Sequence, residues 1–383
     1  MSSVALRSHS ENMKILAFFT QPSHVAYGKL VGGIQRRFLE ISSGLRKLGV
    51  EVSALEYGPP LAERWGYSAA YNPIELNRRF QKHLFLDVPR LLVQALVACL
   101  KLKCDIVYVP GRLLGGDRVF AIAPLIVSFL CRKPLVIVFH HLRPRDYGEK
   151  NPIALLAYAQ AKVCIAVSKS TANEIAENFK TRRIAVAGNG VNPELFKRVE
   201  KQRKEYDAVY FGRISQEKGI HTLLLAWKIV IQKAPSAQLL LMGGTVGKLE
   251  AYERIVAGLK LEQNVSFTGF VSDEQAVTLL NSSRIFVLPS TGEGFGLTVA
   301  EAMAAGLPCI VSDLPALREN FGSAAILAKV GDEKGLAQAM LDLMLNPEEC
   351  EQVRERGRQL VQQLSWANVA KKELRILESA IKP

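Results

Sequence analysis

Two carboxylates, Glu293 and Glu301, stand eight positions apart in Gly292-Glu-Gly-Phe-Gly-Leu-Thr-Val-Ala-Glu301. Eight helical residues would span roughly 12 Å, too far for an acid/base pair acting on one bond. The spacing suits the two ends of one long polar ligand, such as a sugar joined to a nucleotide. Gly294 and Gly296 leave the backbone bare for close approach, and a helix starting behind them offers N–H groups to an anion. A second cluster, Phe211-Gly-Arg-Ile-Ser-Gln-Glu-Lys-Gly219, sets Arg213 and Lys218 on either side of a turn. A guanidinium fork and an ammonium point charge fit a diphosphate. Gly32-Gly33-Ile34 is a weaker phosphate candidate at another helix start. His140 and His141 follow the apolar run Leu135–Phe139.

Each cluster needs a strand before it and a helix after it. Arg284-Ile-Phe-Val-Leu-Pro-Ser290 is a β-branched and aromatic run that reads as a buried strand, and the apolar segment holding Glu301 reads as a helix, with Glu301 about two turns in. Strands are expected over 14–19, 50–56, 105–109, 135–140 and 163–167 in the first half. In the second half they are expected over 208–211, 238–242, 265–268, 285–288 and 308–312, with helices between, among them 33–48 and 220–233. Such alternation predicts α/β layers. Residues 63–90 read as an irregular insert, and 199–207 as a linker carrying the charged run 200–205. The expected division is an extension over 1–12, a domain over 13–198, the linker, a second domain over 208–365, and a last segment over 366–383 whose residues 366–381 form an amphipathic helical pattern.

The segment Glu293–Pro308 resembles the E-x7-E segment of GT4-like retaining glycosyltransferases (glycosyl transferases group 1) of the GT-B fold. The resemblance implies two Rossmann-like, doubly wound domains facing a cleft, with the last helix crossing back onto the first domain. It also implies a nucleoside diphosphate sugar donor. Glu293 would meet the sugar hydroxyls and Glu301 the ribose, with Gly294, Phe295, Gly296 and Leu297 around the donor. Arg213 and Lys218 resemble the family's diphosphate pair, and Gly32 and Gly33 a glycine-rich segment near it. Relatives carry a histidine, commonly followed by Asp, near the donor sugar. That points to His140, with His141 the alternative because it replaces the Asp. Gly243 is expected to shape the nucleotide side, and the backbone at Val271 to face the base. Glu293, His140, Arg213 and Lys218 are the residues expected to carry catalysis.

Composition narrows the class. The chain has 383 residues, enough for two domains with their own cores. No apolar run reaches the roughly 18–20 residues of a bilayer span; the longest, 119–131, reads as a buried helix. Residues 1–12 show no leader-like apolar core, which suggests a disordered extension or an early start codon. The six cysteines have no CxxC or paired spacing and read as small core residues in a reducing cytoplasm. No Asp-x-Asp occurs, and Arg213 and Lys218 can carry a diphosphate's charge, so no metal and no cofactor is expected.

Charge is unevenly placed. Residues 1–190 hold 26 Lys and Arg against 13 Asp and Glu, whereas residues 191–383 hold 23 of each. Arg78, Arg79, Lys82 and Arg90 lie before the apolar stretch 91–100, and Lys101 and Lys103 follow it. That pattern suits an anionic membrane surface, so a lipid or lipid-linked glycan acceptor at the cytoplasmic face is expected. A generally basic surface is the alternative, and nucleic acid is not the expected partner. The function expected is transfer of a sugar to an acceptor hydroxyl with retention. Hydrolysis or epimerisation of a nucleotide sugar on the same fold, or binding without catalysis, are the rival readings. The sugar, base, linkage and oligomeric state are not encoded legibly.

Overall fold

The computed structural model describes residues 13–18, 33–57, 70–76, 84–111, 118–142, 151–199, 202–245 and 247–382. The chain forms two compact units, Met1–Asn189 with Trp366–Pro383, and Gly190–Ser365. The boundary therefore falls at Asn189, ahead of the 199–207 segment.

The first unit runs β1 (Lys14–Phe18), α1 (Gly33–Lys47), β2 (Glu51–Tyr57), β3 (Asn72–Leu76), α2 (Leu84–Leu102), β4 (Ile106–Val109) and α3 (Arg118–Leu130). It continues with β5 (Leu135–Phe139), α4 (Pro152–Gln160), β6 (Val163–Ala166), α5 (Lys169–Asn178) and β7 (Ile184–Val186). All seven strands are parallel, in the order β3-β2-β1-β4-β5-β6-β7. Every residue of β4, β5 and β6 is buried. Parallel strands covered on both faces read as unbroken apolar runs, and these do. Helix starts are fixed locally: Asn151 caps α4 with Pro152 at its first position, and Ser168 caps α5 through the Thr171 N–H.

The second unit runs β8 (Tyr206–Phe211), a single 3-10 turn (Gln216–Lys218), α6 (Ile220–Lys233), β9 (Leu239–Met242), α7 (Leu249–Gly258), β10 (Val265–Gly269) and α8 (Asp273–Asn281). β11 (Ser283–Leu288), α9 (Leu297–Ala304), β12 (Cys309–Ser312), α10 (Pro315–Phe321), β13 (Ile326–Ala328), α11 (Glu333–Leu345) and α12 (Pro347–Val361) complete it. Its six parallel strands are ordered β10-β9-β8-β11-β12-β13. Strand order reverses between β8 and β11. In open α/β sheets the crevice at such a reversal, outside the strands' C-terminal ends, is where ligands bind. The last helix, α13 (Trp366–Ile381), packs on α1 in the first unit.

Three expectations need correction. The stretch 63–90 is not one irregular insert, because it contains β3 and the start of α2. β3 pairs only with β2 at the sheet edge, where Pro73 is tolerated. α3 is not wholly buried, since Phe129 is 79% and Leu130 57% exposed. Glu301 stands just over one turn into α9, because residues 293–296 form a loop. Cys99 and Cys104 are buried free thiols, as core residues should be, and their Sγ atoms lie 2.8 Å apart where α2 turns into β4.

Candidate active site

The two loops at the reversal of the second sheet are tied together by backbone and side chain. The Thr291 N–H and hydroxyl both donate to the Glu217 carbonyl, at 2.9 and 3.0 Å. Gly219, at φ +69°, lies so close to the end of β11 that a Cβ there would sit 1.8 Å from the Pro289 oxygen. No other residue tolerates that approach together with that backbone. Next to this seam, Lys218 Nζ donates to Glu293 Oε1 in a largely buried ion pair. Ser290 Oγ donates to the same carboxylate oxygen at 3.2 Å.

Arg213 is exposed on the same loop as Lys218, and both therefore lie at the C-terminal end of β8. Gly296, at φ +96°, precedes α9, and no side chain caps that helix start. An anion placed there would meet backbone N–H groups and the positive end of the helix dipole. Leu297 is the first residue of α9, and Glu301 is buried within it. Gly294 lies between Glu293 and Phe295 in the loop. The Phe295 ring is buried edge-on against Phe321, with centroids 5.6 Å apart, so this residue presents backbone rather than side chain. Gly243 follows β9 and packs against the Gly212 carbonyl, 2.0 Å from where a Cβ would stand. Val271 is partly exposed beyond β10.

In the first unit, His140 follows β5, and its Nε2 lies 3.0 Å from the Pro110 carbonyl. A carbonyl can only accept, so Nε2 is the donor in this contact. Gly33 opens α1 and is exposed. Gly32 lies outside the described residues, as do Arg78, Arg79 and Lys82. Among the described residues no group of three or more His, Cys, Asp or Glu side chains could hold a metal ion. The cations that the β8 loop supplies are those of Arg213 and Lys218.

Two models for protein families match the sequence: glycosyl transferases group 1 over residues 191–360, and glycosyltransferase family 4 over residues 31–195. The chain belongs to the group 1 glycosyltransferases. It is 28% identical over 221 residues to the O-antigen chain mannosyltransferase RfbU of Salmonella typhimurium, covering 55% of this chain and 61% of that one. It is 31% identical over 175 residues to the phosphatidyl-myo-inositol mannosyltransferase of Mycobacterium leprae, covering 45% and 46%. These matches span about half to three fifths of the relatives' lengths. HepE of Anabaena, solved with UDP, superposes with a TM-score of 0.78 at 20% identity over 96% of this chain and 100% of that chain. The fold is GT-B, as the motifs implied.

Within this group 1 glycosyltransferase, two residues of the β8 loop escaped the reading of the sequence. Tyr210 Oη donates to the Arg213 carbonyl at 2.7 Å and so holds the turn that carries Arg213. Burial, with Glu293 adding to it, keeps that phenol well above its usual pKa, so it remains a donor. A tyrosine in the apolar second half of β8 (Ala208–Phe211), two residues before the Gly-Arg turn, was the available signal. Ser215 Oγ is buried without a hydrogen-bond partner among the described residues.

Proposed function

We propose that the protein transfers a sugar from a nucleoside diphosphate sugar to an acceptor hydroxyl, with retention and without a metal. The observation that carries the reading is the Lys218–Glu293 pair beside Arg213 at the sheet reversal. An arriving diphosphate would take Lys218 and Arg213. That releases the Glu293 carboxylate to accept hydrogen bonds from the sugar hydroxyls. The two cations then stabilise the charge that builds on the departing nucleoside diphosphate, the role a metal plays elsewhere. His140 would hydrogen-bond the sugar and orient it rather than attack it. With no covalent nucleophile assigned, the acceptor hydroxyl attacks from the face the diphosphate leaves. Glu301 would hold the ribose, and the backbone of 294–296 the rest of the donor.

The acceptor proposed is a lipid or a lipid-linked glycan at the cytoplasmic face of a membrane. Support comes from the basic first half of the chain and from relatives named for O-antigen chain and phosphatidyl-myo-inositol mannosyl transfer. Among the described residues no helix is long and apolar enough to cross a membrane, so contact would be peripheral. The deciding experiment is nucleoside diphosphate release from a panel of UDP- and GDP-sugars, mannose first, with and without membrane lipid extract. Lipid-dependent release from one donor, lost in Glu293→Ala and Lys218→Ala, supports the reading. Release that ignores lipid favours a hydrolase. No release from any donor favours a binding protein.

A further inference from the structure

In the first sheet every helix runs back against the strands, so each helix C-terminus and the following strand start lie at one edge. That edge carries the residues 13–14, 44–51, 99–105, 127–134, 157–162 and 175–183, which include eleven Lys and Arg against three acids, Glu51, Asp105 and Glu177. Two of the acids are engaged at the start of β1: Glu51 pairs with Lys14 at 3.3 Å, and Asp105 accepts from the Lys14 N–H at 2.9 Å. In the middle of the same edge Leu100, Phe129 and Leu130 are 67%, 79% and 57% exposed. They end the neighbouring helices α2 and α3, which pack on each other. Lys101, Lys103 and Arg132 surround them and are exposed.

Helix dipoles account for only part of this arrangement. One cation at a helix end complements its carbonyls, but here Lys101 in the last turn of α2 is joined by Lys103 just beyond it, and Arg132 and Lys133 both follow α3. Lys103 and Arg132 also adopt left-handed backbone, at φ 51° and 53°, at positions where glycine is the cheaper residue. Neither effect explains three large apolar side chains facing water. Apolar residues ringed by cations match the interface of a bilayer containing anionic lipid.

We infer that this edge of the first unit docks on an anionic lipid surface, with Leu100, Phe129 and Leu130 entering the headgroup boundary and the surrounding cations holding lipid phosphates. The inference rests on the membrane-proximal reading above for its purpose, and it moves the contact from the length of the 78–103 segment to the end of α2 and α3. His140 stands at the other end of β5, about 17 Å away at 3.3 Å per residue, so docking leaves it clear of the lipid.

Co-sedimentation of the full chain with vesicles tests it. Binding is expected to vesicles of phosphatidylcholine with phosphatidylglycerol, not to phosphatidylcholine alone, and to weaken at high salt. Lys101→Glu with Lys103→Glu should weaken binding at least about tenfold, given roughly fivefold per charge at such a surface. Phe129→Ser with Leu130→Ser should weaken it at unchanged thermal stability. Lys371→Glu with Lys372→Glu, on α13 across the sheet, makes the same charge change and should have little effect. Phe129→Trp should gain fluorescence that brominated lipids quench. Wild-type protein left in the supernatant with the anionic vesicles, an equal loss in the α13 variant, or unquenched fluorescence from the Phe129→Trp variant would each overturn the inference. A patch that instead drives self-association or holds a protein partner would show itself by the first of these. None of the readouts uses turnover, so an inactive donor panel would sink the transferase reading alone.

Discussion

Lys218 and Glu293 come from different loops, 75 positions apart, and meet in one largely buried ion pair. Each therefore sets the resting state of the other. The pair is held by the seam beneath it, where Thr291 bonds to Glu217 and Gly219 abuts Pro289. On the proposed reading, in which a donor's diphosphate takes Lys218 and its sugar takes Glu293, the pair must separate when the donor binds.

Coupling across the pair gives the first prediction. Lys218→Ala and Glu293→Gln should each lower kcat/KM by about 10²–10³-fold, or roughly 3–4 kcal/mol, the loss typical of a group stabilising transition-state charge. The double variant should fall short of the sum, because each single change already disrupts the other partner. Steady-state kinetics on all four proteins checks this. Strict additivity would mean that the two side chains act independently.

Gly219→Ala should damage the seam itself. The methyl group meets a backbone oxygen that cannot move without distorting β11, and the backbone at φ +69° adds to the cost. A loss of about 2–4 kcal/mol is expected. Gly188, at φ +86°, has nothing within 4 Å of a Cβ, so Gly188→Ala isolates the conformational part. Urea unfolding of both should show the larger loss at Gly219, and equal losses would remove the steric argument.

The sequence disclosed most where one element sufficed. The helix 220–233 and the 366–381 helix are bounded as their apolar periodicity indicates. Strand β12 differs by one residue, at Pro308, which lacks an N–H for the ladder. β7 and β13 were missed because three residues carry too little pattern to read. β3 was missed because Asn72-Pro73-Ile-Glu-Leu76 has a proline and an acid in an edge strand. In the site, the glycine loops were legible individually. The Lys218–Glu293 contact was not, since it depends on β8 and β11 lying side by side, which the strand order alone decides.

Lys204 supplies a pH prediction. The residue is exposed as a whole, yet its ammonium donates to the Asn281 carbonyl at 2.7 Å. Burial there, reinforced by Arg354, Arg198 and Arg284, pushes its pKa down to about 8. Below that pH the ammonium is charged in both states, and the folded state bears the full penalty. Between about 8 and the unfolded value near 10.4 the penalty fades. Lys204→Gln, which keeps a donor for Asn281, should therefore stabilise the second unit at pH 7 and lose that advantage by about pH 10.5. Thermal melts across this range check it. A gain constant with pH would show that the charge is not its source.

The first unit carries a second buried pair, and its sequence separation is larger. Arg37 on α1 donates through Nη2 to Glu373 on α13, 336 positions away, and through Nε to Asn189 Oδ1 at 2.9 Å. Tyr108 Oη completes the cluster by donating to Glu373 Oε1 at 2.5 Å. Burial opposes the Arg37 charge, but Glu373 and Tyr108 beside it leave the guanidinium pKa raised. Both ionic side chains are buried, so removing either strands the other away from water. Glu373→Met and Arg37→Met should each cost about 3–5 kcal/mol. Arg37→Met with Glu373→Met should cost less than the two losses combined, because no lone charge remains. Denaturant unfolding followed by circular dichroism measures all three. If the double variant loses the full sum, what anchors the returning helix is its apolar packing on α1, and the ion pair only accompanies it.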